Sequence, residues 1–226
     1  MPKIKMPRKS THIDMTAMCD VAFLLLTFFM LATKFKPMEP VQVVTPASTS
    51  TKVIPTGFIQ ITLDKDGRVF YNVDNLNAKK GIIEEINKNK KLGLTPLEMQ
   101  SFVSNTAIGV PFSQLKSYLA LTPAQQEAYD KTKAAGIPTD TTGNYETNEL
   151  AYWITTSRYQ LLEQGTKARI AIKADGSAKY PDVQKLIATL GNLKIFRFSF
   201  ITNSKAVPKG TALSEEQAAA KAAGGK

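Results

Sequence analysis

One cysteine and one histidine in 226 residues leave little material for several kinds of chemistry. Cys19 has no second cysteine to staple a fold with, and no Cys-x-x-Cys pair is present for metal or redox work. Lying in an apolar stretch, it reads as a small apolar filler. His12 belongs to a basic opening segment, so Ser-His-Asp or Cys-His catalysis and histidine-centred metal sites lack their central residue elsewhere in the chain. No catalytic residue, metal or cofactor is expected. Acidic residues are also the scarcer charge, 19 against 29 basic ones, for a formal net charge of +10. They form no paired arrangement of the kind a hydrolase uses. The basic residues are spread out rather than clustered with aromatics, which argues against nucleic-acid binding. With 43% hydrophobic residues the chain has ample material for a packed core.

Only one stretch is apolar for long. From about Ile13 to Ala32 the charged residues are Asp14 and Asp20 alone, and roughly 20 apolar residues are what a helix needs to cross ~30 Å of hydrocarbon. An aspartate at a helix centre costs ~2.5 to 3.5 kcal/mol on insertion, and each Leu, Phe or Val returns ~0.3 to 0.6. Val21, Phe23, Leu24, Leu25, Leu26, Phe28, Phe29 and Leu31 together offset that cost about once, so the helix can carry its carboxylate. Lys3, Lys5, Arg8 and Lys9 precede it and Lys34 and Lys36 follow, which favours a cytoplasmic N-terminus.

A cleaved signal peptide fits a basic leader and an apolar run as well. Against it stand the carboxylate and the lack of an A-x-A site in "MLATKFKPM". A plain anchor with Asp20 reaching toward the interface also remains open. An ionisable group within a span nevertheless points to function and to a protein partner that shields it. Thr27 follows Asp20 by two helical turns, on the same stripe, and with Thr16 completes a candidate polar seam. A threonine here can equally bond back to its own helix.

Four segments resemble the ExbD/TolR family of inner-membrane proton-channel subunits. "IDMTAMCDVAFLLLTFFMLAT" (13 to 33) is similar to the family's membrane helix with its Asp-Val pair. "VQVVTPAS" (41 to 48), with Val43 and Pro46, resembles the extended partner motif that follows it. "IKADGSAKYPDVQKLIATLGNLKIFRFSFIT" (172 to 202) resembles the closing strand, helix and strand. "FIQITLDKDGRVFYN" (58 to 72) resembles the first hairpin of the folded domain. Ala17 stands where the family usually has proline, and Thr45 where it usually has leucine. The stretch 91 to 152 has no counterpart in compact members and marks a longer variant.

The residues of the remainder read as a small α+β domain. The segment 36 to 57, rich in Pro, Ser and Thr, reads as an extended linker. Phe58 to Leu63 and Arg68 to Tyr71 are β-rich runs joined by "DKDG". A helix is expected over 78 to 88. Strands are expected over 169 to 174 and 195 to 201, around an amphipathic helix with Val183, Leu186, Ile187 and Leu190 on one face. Thr95-Pro-Leu-Glu98 and Thr122-Pro-Ala-Gln125 are helix starts, so the insertion reads as mainly helical.

The expected organisation is a leader at 1–12, a transmembrane helix at 13–35, the linker at 36–57, a periplasmic α+β domain at 58–203 with its helical insertion at about 91–152, and a flexible tail at 204–226. Its helices are expected on one face of a small mixed sheet. The resemblance implies that Asp20 carries protons and that a second copy of this chain pairs with the first inside an ExbB-like multi-span ring. It also implies that the domain engages a TonB-like transducer from the inner membrane. A TolR-like role in envelope maintenance, or a non-conducting tether that holds peptidoglycan or another partner, is the alternative.

Overall fold

The structure, a computed structural model, describes residues 15–32, 39–50, 54–140, 147–205 and 210–211. The leader 1–12, the helix ends expected at 13–14 and 33–35, and the tail from 212 onward lie outside them. The chain divides into two compact units, Met1–Met38 and Glu39–Lys226.

The first unit contributes α1, Met15–Ala32. It holds neither glycine nor proline, and its leucines and methionines are good helix formers. Eighteen residues rise about 27 Å, close to a hydrocarbon core. None of its residues is buried, and among the described helices it is the one long and apolar enough to cross a membrane.

The second unit is built on four strands: β2 (Phe58–Leu63), β3 (Val69–Val73), β4 (Arg169–Ala174) and β5 (Phe198–Phe200), in the order β3-β2-β4-β5. β2 and β3 are antiparallel, while β4 runs parallel to β2 and β5 parallel to β4. Register places Ile59, Ile61 and Leu63 beside Val73, Tyr71 and Val69 on one side, and Ile59 and Ile61 beside Ile170 and Ile172 on the other. All of these point to one face, the period-2 signature of a half-covered sheet. Over that face pack α2 (Leu76–Lys90), α6 (Glu149–Glu163) and α7 (Tyr180–Asn192), whose Ile82, Ile83, Ile86, Trp153, Leu186 and Leu190 join the strands in one core. Helices on one face of a mixed sheet is the architecture the sequence implies.

Local chemistry sets the element ends. At the β2–β3 turn Gly67 takes φ +80°, a conformation other residues rarely adopt, and its N–H donates to the Asp64 carbonyl at 3.1 Å. Asn75 caps α2 by accepting from the N–H groups of Asn77 and Ala78. β5 is shorter than the expected strand 195–201: Lys194 turns into the left-handed region at φ 56°, and the Ile195 N–H is spent on the Leu190 carbonyl at the end of α7. Pairing therefore starts only at Phe198.

The stretch 91–152 is mainly helical, with α3 (Pro96–Ser104), α4 (Phe112–Leu119) and α5 (Pro123–Asp130) preceding α6. Thr95 and Glu98 form the capping box of α3, and Gln125 accepts from the Thr122 N–H and hydroxyl at the start of α5. Between and after these helices the chain closes the outer edge of β3. Tyr71 and Ile108 exchange both backbone hydrogen bonds at 2.8 Å, and the Ile137 N–H donates to the Val69 carbonyl at 2.8 Å. The chain then passes to the opposite face, where Ala107, Ala135 and Val41 cover Phe70. Gly109 lies against that ring, where a Cβ would meet the ring carbons at 2.1 Å.

Candidate functional site

The residues singled out from the sequence fall into two groups, one in each unit. On α1 Asp20 is exposed, in a helix whose other side chains bear no charge. Thr16, Asp20 and Thr27 stand at i, i+4 and i+11, within about 40° of arc at 100° per residue, so the helix does bring the three polar positions onto one stripe. The Thr27 hydroxyl donates to the carbonyls of Phe23 at 3.0 Å and Leu24 at 2.9 Å. This is the local bond its position allows, and the oxygen keeps acceptor capacity for a neighbour. Cys19 is exposed beside Asp20 in the chain, and no group of three or more His, Cys, Asp or Glu among the described residues is placed to hold a metal ion.

In the second unit, residues 39–48 form a strap bonded to the domain. β1 (Ala47–Ser48) pairs in parallel with β6 (Asn203–Ser204). Asn203 holds it twice, its side-chain amide donating to the Thr45 carbonyl at 3.0 Å and its N–H to the Pro46 carbonyl at 2.9 Å. The Lys205 N–H donates to the Ser48 carbonyl at 2.9 Å, so paired backbone continues two residues into the stretch read as tail. One turn of chain earlier, the Val44 N–H donates to Asp175 Oδ2 at 3.0 Å, and the Gly176 N–H returns a bond to the Val44 carbonyl at 2.9 Å. Lys173 forms an ion pair with Glu39.

The N–H groups of Ser177 and Val44 hold the Asp175 carboxyl below the usual carboxylate range, outweighing a small effect of burial. Of the two motif residues singled out from the sequence, Val43 is half-buried, whereas the Pro46 side chain is exposed and its carbonyl does the bonding. Thr45, standing where the family usually has leucine, is 6% exposed, so the polar substitute still docks. The anchors are Asp175, a named residue of the family-like closing motif to which the sequence assigns no site role, and Asn203. Asp175 falls inside a family-like segment, which was the available signal; Asn203 offers none.

The first unit thus presents a carboxyl in an apolar helix, and the second an extended segment held by a few directional hydrogen bonds. Comparison with curated proteins and with solved structures found no match in either. The apolar helix near the N-terminus, together with the family below, supports a single-pass membrane protein that works with membrane-associated partners. A family model described as "Biopolymer transport protein ExbD/TolR" matches residues 6–205, and on that coverage the chain belongs to the ExbD/TolR family of biopolymer transport, energy-transduction proteins.

Proposed function

We propose that this chain is the proton-carrying subunit of an ExbB–ExbD-like inner-membrane complex that drives TonB-dependent transport at the outer membrane. The observation that carries the reading is Asp20, a carboxyl in the apolar α1 of a chain matched by this family over residues 6–205. A carboxyl group enters a low-dielectric environment far more readily neutral than charged. Two copies of α1 within a multi-span ring would therefore touch different ring surfaces in the two states, and protonation would bias their movement. One proton crossing yields only ~2.3 kcal/mol per 100 mV, so work on a distant component takes several protons.

The N-terminus is cytoplasmic and the folded unit periplasmic in this reading, consistent with the heavier basic flank before the helix. The folded unit would pass motion on to a TonB-like protein through an exposed strand edge. β5 suits that role, because the insertion already occupies the other edge of the sheet. The family embraces both ExbD and TolR, so a Tol-type partner set is the neighbouring possibility.

The decisive experiment replaces Asp20 by Asn in the intact complex. Asp20→Asn is expected to insert and assemble as the wild type does while energised uptake is abolished. Retained uptake would dismiss Asp20 as the proton carrier.

A further inference from the structure

The insertion is tied to the sheet through a buried polar cluster that the transport reading does not use. Arg68, from the β2–β3 turn, directs Nε to Asp64 Oδ2 at 3.1 Å and pairs with the same carboxylate through Nη2. Its Nη1 donates to the Asp130 carbonyl at 2.8 Å and also to the Thr132 carbonyl. These contacts clamp the end of α5 to the hairpin. The Asp130 carboxyl itself receives none of them. It is 4% exposed, Oδ2 accepts from the Tyr118 hydroxyl at 3.0 Å, and Oδ1 is buried with no hydrogen-bond partner.

The ionisable groups around it are Arg68 and Asp64 from the hairpin, Tyr118 from α4, and Glu127 and Tyr129 on α5. The cation among them, Arg68, gives its ion pair to Asp64 and acts on Asp130 only through its charge. An ionised Asp130 would thus sit in a desolvated place with one hydrogen-bond donor and no ion pair to its carboxylate, whereas the neutral acid needs none. Burial pushes the group up to about 6; the Tyr118 hydrogen bond and the Arg68 charge work against burial, and Glu127 adds to the rise.

We propose that Asp130 is a proton-operated clasp: while its carboxyl is neutral, α5 and the chain through Ile137 lie firmly on the β3 edge, and once it ionises this cover opens more readily. The cover matters because the Gly136 N–H bonds to the Gly109 carbonyl at 2.6 Å and the Ile137 N–H to Val69 on β3. Opening frees the Val69 end of the β3 edge and lifts Ala135 from Phe70, while Ile108 stays paired with Tyr71. A group whose folded value is raised lends its stability in acid and loses it as pH rises through that value. The clasp therefore loosens from the ordinary aspartate range up to about pH 6 and stays loose above it.

Amide hydrogen exchange on the full-length protein tests this, read in the segment 131–140 and corrected for intrinsic exchange. Opening in the wild type is expected to be about tenfold more frequent at pH 7.5 than at pH 5. Asp130→Asn, which cannot ionise, should show the same protection at both. Tyr118→Phe removes the single donor and should carry the midpoint to higher pH, a shift that a merely structural role would not cause. Equal wild-type protection at the two pH values overturns the clasp, as does a pH response surviving in Asp130→Asn. If that variant does not fold, seen as lost protection in β2 and β4, the wild-type response and its displacement in Tyr118→Phe decide alone.

Discussion

Trp153, the chain's one tryptophan, shows how single residues join the helices of 91–152 to the sheet. It is fully buried on α6, with ring centroids 5.0 Å from Tyr71 on β3, 5.6 Å from Phe102 on α3 and 5.2 Å from Phe112 on α4. Truncation would leave a large cavity among three rings that cannot all move in to fill it. Trp153→Ala is expected to cost ~3 to 5 kcal/mol, visible as a lowered thermal midpoint by circular dichroism. Trp153→Phe should lose much less, since it keeps the stacking and removes an indole N–H that has no buried partner. The surrounding helix is legible from "NELAYWITTSRYQLL", but the role of its tryptophan is not. Its ring partners come from other elements, tens of residues away, and side-chain stacking leaves no local periodicity to read.

At the scale of elements, what was legible follows from periodicity. β2 and β4 occupy the residues read as strands, because their apolar residues face a core in a period of two. The 3.6-residue stripe of α7 holds at Leu186 and Leu190, but Ile187, expected on the same face, is 39% exposed and Thr189 is buried. The strap is the contrary case. Its attachments are backbone groups bonded to Asp175 and Asn203, 131 and 158 residues onward, so composition alone makes it look like a linker.

That attachment has a testable pH sense. Asp175 is held below its ordinary range by N–H donors, so it contributes to docking at neutral pH and ceases to as pH falls below the ordinary aspartate range. Asp175→Ala should mimic acid: proteolysis or amide exchange at 41–46 is expected to speed up at neutral pH, with β2 and β4 unchanged. Asn203→Ala should loosen 45–48 in the same assay. Unaltered protection in both variants would mean that the strap is held by something other than these bonds.

For the molecule as a whole, the division into two units separates the question of folding from that of the membrane helix. The domain closes its own core around the four-stranded sheet, with residues such as Ile59, Ile61, Ile172 and Leu186 at 0% exposure. It should therefore fold whatever span precedes it. Replacing residues 15–32 with an unrelated polyleucine helix is expected to leave the domain's thermal unfolding unchanged, and to ease insertion by relieving the ~2.5 to 3.5 kcal/mol that an aspartate costs at a helix centre. If α1 works through its polar stripe, that better-inserting chain will nonetheless fail to support energised uptake. Restoring aspartate at position 20, with threonine at 16 and 27, should recover part of the function in proportion to assembly with the ring. A polyleucine span that sustains uptake unaided would instead make α1 a tether, and would move the whole of the chain's role into the folded unit.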